Sequence, residues 1–266
     1  MRNLSPPVIF CAHNPKLFLK CVACLVGVWT VVWSASPALA QGELRLASDF
    51  DAPRSTAQLD GFDDRVVAEA CRRVGVTMRR VHLPAGRTLV LANQGVEDGV
   101  YSRIAGFSAR YPELVVVPEP VGEITYVVFS RDPQLKISEW ESLRSLSVAV
   151  VLGRATSATR TAGMPDVVRV REPLQLFRML KAGRVEVVVY EHWQGVVAAR
   201  RVGLDDVVVH QPALQSLPLY LYLNSRHAAL VPKFADALRA MKQDGTYARL
   251  RAQTTALVDE ISTQKN

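Results

Sequence analysis

The chain has 266 residues, of which 49% are hydrophobic, and this length is enough to bury one large hydrophobic core or two smaller ones. Its net charge of +7 comes from basic residues that are scattered along the sequence. No block rich in Lys and Arg with interleaved aromatic residues is present, which excludes the usual pattern of a nucleic-acid-binding protein. We therefore expect no nucleic-acid partner.

The first forty residues have the three parts of a secretory signal peptide. Their charged residues are all basic, an apolar run extends from Cys21 to Trp33, and the small-x-small sequence Ala38–Ala40 follows. The apolar run is shorter than the roughly 20 residues that a membrane-spanning helix needs. The pattern predicts a signal peptide over residues 1–40, cleavage after Ala40, and a soluble exported protein that begins at Gln41. The alternative is an uncleaved membrane anchor.

Cysteine usage excludes an internal disulfide in the exported protein. Of the four cysteines, only Cys71 lies beyond the predicted cleavage site. It falls on the apolar side of a predicted helix, where we expect it to act as a small buried hydrophobic residue. A nucleophilic role is the alternative, but the sequence supplies no partner for it.

Short β-rich runs alternate with helical patterns along the first half of the exported chain. A helix is predicted from Phe62, because apolar residues recur at four-residue spacing up to Val74 and Gly75 then ends it. The other predicted elements here are a strand at Leu44–Ala47, a strand at Met78–Val81, a helix within Pro84–Gln94, and strands at Val96–Val100 and Leu114–Val117.

The second half continues the alternation. A helix is predicted from Pro173 to Gly183, and the final helix is predicted over Leu230–Met241, ended by Asp244-Gly245. The predicted strands are Tyr126–Ser130, Ser147–Leu152, Val167–Val170, Val185–Tyr190, Val207–Val209 and Leu219–Leu223. Strands that alternate with helices predict an α/β architecture with largely parallel sheets.

The common catalytic and metal-binding motifs are missing from the sequence. No nucleophile elbow, phosphate-binding glycine loop or His-Glu-x-x-His motif is present. The four histidines after residue 40 have no second His or Cys at ligand spacing, so we expect neither a metal nor a cofactor. His192 follows Glu191, but adjacent residues at a strand end point in different directions, which disfavours an acid–base pair.

Charged residues follow several predicted strands, at positions where open α/β sheets bind ligands. Tyr101 and Arg103 come just after one predicted strand, and Glu191 follows another. The segment Gly153–Thr156 opens a predicted helix with backbone amides, a hydroxyl and the cation of Arg154, a combination that suits an anion. An arginine fork suits a carboxylate and an acid suits an ammonium group, so these residues together could hold a zwitterion. The alternative is that each is a solvated charge at a strand end.

Five segments follow one another in an order that is typical of one family. They are Gly61–Val76, Leu91–Gly99, Leu143–Gly153, Leu176–Glu191 and Leu230–Leu250, the last of which contains the sequence DGTY at Asp244–Tyr247. Taken in this order, they resemble the motifs of the extracellular solute-binding proteins of family 3, the amino-acid-type periplasmic receptors of ABC transporters. The resemblance covers nearly all of the chain after residue 40.

The resemblance implies the two-lobe periplasmic binding protein type II fold, an α/β fold in which two crossing hinge strands join the lobes and the ligand cleft lies between them. Tyr126–Ser130 and Leu219–Leu223 match the crossing strands. The first lobe would comprise residues 41–127 and 218–266, with the C-terminal helix, and the second lobe residues 128–217. The resemblance also implies a monomer that works in the periplasm and closes by a hinge motion.

The family's carboxylate-binding arginine falls near Arg110, but the Thr and Glu that precede it in the family are missing here. Arg103 is therefore the alternative for that role. Glu191 stands where the family has an aspartate, and Val117–Val121 replaces a segment that supplies a pocket aromatic. The predicted ligand-binding residues are Tyr101, Arg103, Arg110, Gly153, Arg154, Thr156 and Glu191.

The leading interpretation is a periplasmic solute-binding protein without catalysis. It would capture a small polar or anionic solute, an amino acid or a related carboxylate, and deliver it to the membrane permease of an ABC transporter. Two alternatives stay open. A sensory protein would act on a separate membrane signalling partner. An enzyme on the same fold would resemble cyclohexadienyl dehydratase and use Glu191 or His192.

Overall fold

The computed structural model describes residues 42–263. The predicted signal peptide, Met1–Ala40, lies outside these residues. Within the described part of the chain, no helix is both long and apolar enough to cross a lipid bilayer. The described strands form one continuous hydrogen-bonded sheet, and helices pack against it.

The first half of this sheet is built around three parallel strands. Its elements are β1 (Glu43–Ser48), α1 (Phe62–Val74), β2 (Thr77–His82), α2 (Ala85–Asn93), β3 (Gly99–Arg103) and β4 (Leu114–Val116). β1 pairs in parallel with β2 on one side and with β3 on the other. The helix α1 packs against β2 and β3, and α2 packs against β1 and β3.

The second half repeats this plan. Its elements are β5 (Gly122–Ser130), β6 (Val148–Val151), α3 (Ala155–Arg160), β7 (Val167–Val170), α4 (Pro173–Lys181), β8 (Val187–Glu191), α5 (His192–Arg201) and β9 (Val208–Val209). β6 pairs in parallel with β7 and β8, whereas β5 is antiparallel to β8 and β9. The parallel pairing within each half confirms the predicted α/β architecture.

A single long strand belongs to both halves. β10 (Gln215–Asn224) pairs antiparallel with β5 over Gln215–Leu219, and then with β3 and β4 over Tyr220–Asn224. The chain leaves the first half along β5 and returns to it along β10, so these are the two strands that pass between the halves, as predicted. The chain then returns to the first half, where α6 (Val231–Gln243) and α7 (Thr246–Thr263) pack against α1. The predicted lobe limits at residues 127/128 and 217/218 fall inside β5 and β10, and the division at those residues stays a prediction.

Central strands of the second half are buried on both faces. The side chains of Val127–Phe129 and Val187–Val189 are almost completely buried. Uninterrupted apolar runs of this kind are typical of strands that are covered by helices on both sides of a sheet. This explains why Val185–Tyr190 could be predicted as a buried strand from the sequence.

The prediction that the helix over Leu230–Met241 is the last one is wrong. α6 ends at Gln243 as predicted, but α7 follows after Gly245. The sequence of α7 has a weak apolar pattern, and its fully buried Thr254 satisfies its own hydroxyl by donating to the carbonyl oxygen of Leu250. Packing against α1, α5 and α6 stabilises this helix, and such contacts are not visible in a single sequence.

The strand predicted at Val96–Val100 begins later, at Gly99, and continues to Arg103. Val96 is half exposed and follows the turn at Gly95, which has the left-handed φ of 72°. The carboxylate of Asp98 accepts a 2.7 Å hydrogen bond from the backbone N–H of Arg45, which fixes the approach to the strand.

The prediction for Cys71 is confirmed. Its side chain is 1% exposed within α1, and burial raises the pKa of its thiol to about 12. The thiol therefore stays protonated at neutral pH, which argues against a nucleophilic role.

Replacing Gly99 by alanine is expected to destabilise the protein by about 1–3 kcal/mol. A Cβ at this position would lie 2.3 Å from the backbone oxygen of Tyr222, so β3 and β10 could not keep their separation. Chemical unfolding in urea measures the change. Gly86→Ala on α2 is the matched control, because nothing lies within 4 Å of its added Cβ, and it should be neutral or stabilising. Equal stability of both variants would contradict the prediction.

The stability of the protein is expected to fall as the pH drops below about 6.5, the ordinary pKa of histidine. Burial lowers the pKa of His210, whose Nε2 lies 2.6 Å from the Ser130 Oγ. Below its ordinary pKa the unfolded chain therefore binds the proton more readily than the folded protein, and stability is lost until the folded pKa is passed. The loss is about 1.4 kcal/mol for each unit of pKa lowering.

Urea unfolding at pH 7.5 and 5.5 measures this loss, with His210→Gln as the comparison. The variant should show a smaller fall between the two pH values than the wild type does. An identical fall would show that other groups cause it.

Candidate functional site

Charged side chains from both halves of the sheet meet where the parallel strands end. Asp49 follows β1, Arg103 ends β3, Arg154 follows β6 and Glu191 ends β8. The carboxyl ends of parallel strands are the usual ligand-binding edge of an α/β sheet. The structure shows which of the strand-end charges come together at this edge.

Asp49 forms ion pairs with two arginines that come from different halves of the sheet. Its Oδ1 lies 2.9 Å from Nη2 of Arg103, and its Oδ2 lies 3.8 Å from Nη1 of Arg154. The Asp49 side chain is only 5% exposed. Arg103 also donates a hydrogen bond to the hydroxyl of Thr88 on α2. Burial lowers the pKa of Arg103 and Asp49 opposes that effect, but a guanidinium remains charged at any physiological pH.

A second buried ion cluster is centred on Arg54. This side chain is 1% exposed, and its Nη1 lies 3.0 and 3.1 Å from the two carboxylate oxygens of Asp63. Its Nη2 donates to the backbone oxygen of Glu123, and its Nε lies 3.6 Å from Oε1 of Glu191. Burial raises the pKa of Asp63, while Arg54 acts to lower it. The guanidinium of Arg54 is therefore compensated by one carboxylate from each half.

Aromatic rings enclose these guanidinium groups. The Cζ of Arg54 lies 5.4 Å from the ring centre of Phe50 and 5.5 Å from that of Trp193. The Cζ of Arg154 lies 5.1 Å from the ring centre of Phe50. Phe50 is thus shared by two arginines, and such contacts stabilise a cation that has been removed from water.

Glu191 has a structural task in addition to its ion pair. Its Oε2 accepts a 2.8 Å hydrogen bond from the backbone N–H of Gln194, which caps the N-terminus of α5. Gln194 in turn donates through its side chain to the backbone oxygen of Asp51, 3.4 Å away. The start of α5 is therefore tied to the loop after β1 in the other half.

The predicted ligand residue Tyr101 is buried beside Asp64. Its hydroxyl donates a 2.5 Å hydrogen bond to Oδ1 of Asp64, which also accepts a 2.7 Å bond from the Ser55 hydroxyl. Burial, reinforced by Asp64, raises the pKa of Tyr101. Tyr101 therefore fixes the loop that carries Asp49, Arg54 and Ser55, and a direct ligand contact by it stays a prediction.

The remaining predicted site residues lie at different depths. Arg110 is exposed, and its guanidinium lies 5.7 Å from the ring centre of Tyr111. Gly153 is exposed with a left-handed φ of 83°, and the partly buried Thr156 interacts with the hydroxyl of Tyr126. Of the predicted set, Arg103 and Arg154 lie in the Asp49 cluster and Glu191 lies in the Arg54 cluster. The ligand-binding roles of all the predicted residues stay predictions.

Four residues of the ion clusters are not in the predicted set: Asp49, Arg54, Asp63 and Asp64. Asp63 and Asp64 open α1, where acidic residues ordinarily face solvent and complement the helix dipole. Here both are fully buried. A sequence signal was present for Asp63 and Asp64. They lie between Phe62 and Val66, two apolar residues that face the core from the same helix, so the two acids are placed beside that core.

A groove with a volume of about 800 Å³ lies next to the ion clusters. It is bordered by the loop after β1, by the end of β2, and by the starts of α4 and α5. Tyr190 and Gln194 line it, and Tyr190 also hydrogen-bonds to Arg154. Burial raises the pKa of the Tyr190 hydroxyl to about 12, so the hydroxyl stays neutral and accepts a hydrogen bond from the Arg154 guanidinium, which has only donors.

The comparison with solved structures identifies the fold. No known family profile matches the chain. An uncharacterised protein of Shewanella oneidensis is 23% identical over 201 residues, which cover 73% of this chain and 76% of that protein. A histidine kinase sensor domain with similarity to periplasmic binding proteins superposes with a TM-score of 0.65 at 17% identity, covering 80% of this chain and 95% of that one.

Two amino-acid-binding proteins also superpose on the chain. A mutant of the arginine-binding protein of T. maritima gives a TM-score of 0.63 at 22% identity and covers 81% of this chain and 96% of that one. An ancestral amino acid-binding protein, described as a precursor of cyclohexadienyl dehydratase, gives 0.62 at 22% identity and covers 80% and 95%. The protein has the two-lobe fold of type II periplasmic binding proteins.

Proposed function

We propose that the protein is a periplasmic solute-binding receptor, a divergent relative of the family 3 proteins, which binds an amino acid or related carboxylate between two lobes. The lobes would be residues 41–127 with 218–266, and residues 128–217. Residues 1–40 would direct export and be removed after Ala40. The exported protein would act as a monomer.

The observation that carries this proposal is the convergence of Arg103 and Arg154 on one carboxylate. The two arginines come from opposite halves of the sheet, and both lie within 4 Å of the Asp49 side chain. Two guanidinium groups arranged in this way form a carboxylate-binding site that spans the cleft. A ligand carboxylate at this place would hold the two lobes together.

A negatively charged side chain, Glu191, lies at the same edge of the sheet. Glu191 lies against a cation, the Arg54 guanidinium, and it is only 3% exposed. Each carboxylate oxygen has two lone pairs, so Glu191 can accept from the ammonium group of an amino acid while it keeps its contacts with Arg54 and Gln194. The positive and negative recognition groups support a zwitterionic ligand more strongly than a simple anion.

Delivery to an ABC permease is the primary role that we propose for the closed receptor. Sensing is the second candidate, because the superposition with a histidine kinase sensor domain covers 80% of the chain. In both cases the partner would be a separate membrane protein that distinguishes the closed form from the open one.

Catalysis is not part of the proposal. Glu191, one of the two acid–base candidates, is engaged with Arg54 and with the backbone of α5. Its carboxylate therefore has a positioning and charge-balancing task, which argues against proton transfer to a substrate.

A thermal-shift screen tests the proposal. The full chain is expressed with its leader and purified from the periplasm, and intact mass measurement should show a mature protein that begins at Gln41. The protein is then heated with amino acids, organic acids and aromatic carboxylates. A true ligand at a hundredfold excess over its Kd stabilises by about 2.7 kcal/mol.

Each outcome has a definite meaning. A raised Tm with the compound recovered unchanged by mass spectrometry supports a receptor. A compound that raises the Tm and is chemically converted would identify an enzyme. Failure of every carboxylate and amino acid to raise the Tm would contradict the proposed ligand class.

A further inference from the structure

The side chain of Asp49 occupies the carboxylate-binding site of the proposed receptor. Among the described residues, its carboxylate is ion-paired with Arg103 and Arg154 and with no other cation. The neighbouring buried acids are held differently, since Asp63 and Asp64 each accept hydrogen bonds from hydroxyl groups as well. Asp49 also lies on a loop, whereas Asp63 and Asp64 are fixed within α1.

The charges of this region balance without any ligand. Four arginines are in contact with four carboxylates here: Arg54, Arg80, Arg103 and Arg154 with Asp49, Asp63, Asp64 and Glu191. The carboxylate of a simple anion would add a buried negative charge with no cation to compensate it, which is strongly unfavourable. A zwitterion brings its own cation, but its carboxylate needs the same two guanidinium groups that Asp49 already contacts. A ligand's acid group must therefore replace an acid that is already present, and Asp49 is the one that touches both arginines of the site.

We propose that Asp49 is a specificity-determining residue, an internal counter-anion that a ligand's acid group must displace from Arg103 and Arg154. This inference rests on the proposed function, because it concerns the same cleft. The tethered carboxylate competes with every free anion. If it holds the arginines for about nine-tenths of the time or more, it raises the apparent Kd of a competing anion about tenfold or more.

The competition selects among ligands. A small anion offers only its charge and gains little by exchange with Asp49. A ligand that makes further contacts in the cleft, or that carries two negative charges, can displace it. Asp49 thus discriminates against the abundant simple anions that two clustered arginines would otherwise bind.

The test compares Asp49→Asn with the wild type, using acetate, sulfate, succinate, glycine and L-glutamate as probes in isothermal titration calorimetry. We expect sulfate and succinate to bind the variant at least about tenfold more tightly than the wild type. Asp51→Asn is the matched control, since it removes one negative charge from an exposed side chain of the same loop. It should bind the probes as the wild type does.

A destabilised variant would still give a decisive result. Asp49→Asn leaves the buried guanidinium of Arg103 and the partly buried one of Arg154 without their counter-anion. Sulfate should restore the Tm of the variant, whereas sodium chloride at the same ionic strength should restore less. Equal probe affinities in variant and wild type, or no specific rescue by sulfate, would overturn the inference.

The outcomes separate this inference from the proposed function. If the wild type binds an amino acid in the thermal-shift screen but Asp49→Asn binds no probe more tightly, the function stands and the inference fails. If the wild type binds no solute while the variant gains anion affinity, the inference stands and the function fails.

Discussion

Replacing Arg54 by methionine is expected to lower the free energy of unfolding by about 3–5 kcal/mol, the cost of breaking a buried ion pair by removing one partner. Methionine keeps most of the side-chain volume between Phe50 and Trp193 but removes the charge. The carboxylates of Asp63 and Glu191 then remain buried without the cation that compensates them. Urea unfolding followed by circular dichroism measures the loss.

A second arginine provides the control for this prediction. Arg72→Met removes an exposed guanidinium that pairs with Glu69 on the same helix, and surface pairs of this kind contribute about 0–1 kcal/mol. The double variant Arg54→Met/Asp63→Asn should regain part of the lost stability, because it removes one of the uncompensated charges. A loss for Arg54→Met no larger than for Arg72→Met would show that the buried cluster contributes no net stability.

Replacing Arg103 by alanine is expected to raise the Kd of the solute identified by thermal shift roughly 30-fold or more, a cost of about 2 kcal/mol or above for truncating one partner of a buried charge pair. Arg103 is the arginine closest to the carboxylate of Asp49, and a ligand carboxylate would take that place. Isothermal titration calorimetry measures the Kd, and circular dichroism establishes that the variant is folded.

Two further variants make this result specific. Arg87→Ala on α2, an exposed arginine beside Thr88, should leave the Kd unchanged. Arg110→Ala decides between the two arginines that the sequence offered for the carboxylate. Loss of binding in Arg110→Ala together with unchanged binding in Arg103→Ala would move the ligand's carboxylate away from the ion clusters described above.

Much of the fold could be predicted because it depends on local patterns. The apolar run at Val187–Val189 predicts a buried strand, and Pro173 begins a helix in the sequence as it does in the structure. By contrast, α5 and α7 are helices whose own patterns are weak, and each depends on contacts with the other. Such contacts join residues that are far apart in the sequence, and neither helix has a local apolar pattern that indicates them. These two helices could therefore not be predicted.

The candidate site was predictable only where strand ends define it. Arg103 and Glu191 lie at the ends of parallel strands, and topology alone brings such ends to one edge. Asp49 directly follows β1 and fits the same rule, although it was not among the predicted residues. Arg54 lies on a loop with no periodic pattern, and its position depends on its partners Asp63 and Glu191. Composition also gave no sign that so many opposite charges would be buried together, since each charge was individually consistent with a solvated surface.

The strand β10 constrains the order in which the protein can fold. The edge of β3 is completed only when Tyr220–Asn224 has been added to it, and α1 packs against α6 and α7 from the end of the chain. The strands β5 to β9, in contrast, form a continuous stretch of sequence. Since pairings between distant residues form slowly, we expect the second half to become structured first. Until β10 arrives, β3 and β5 both present an open strand edge of the kind that promotes aggregation.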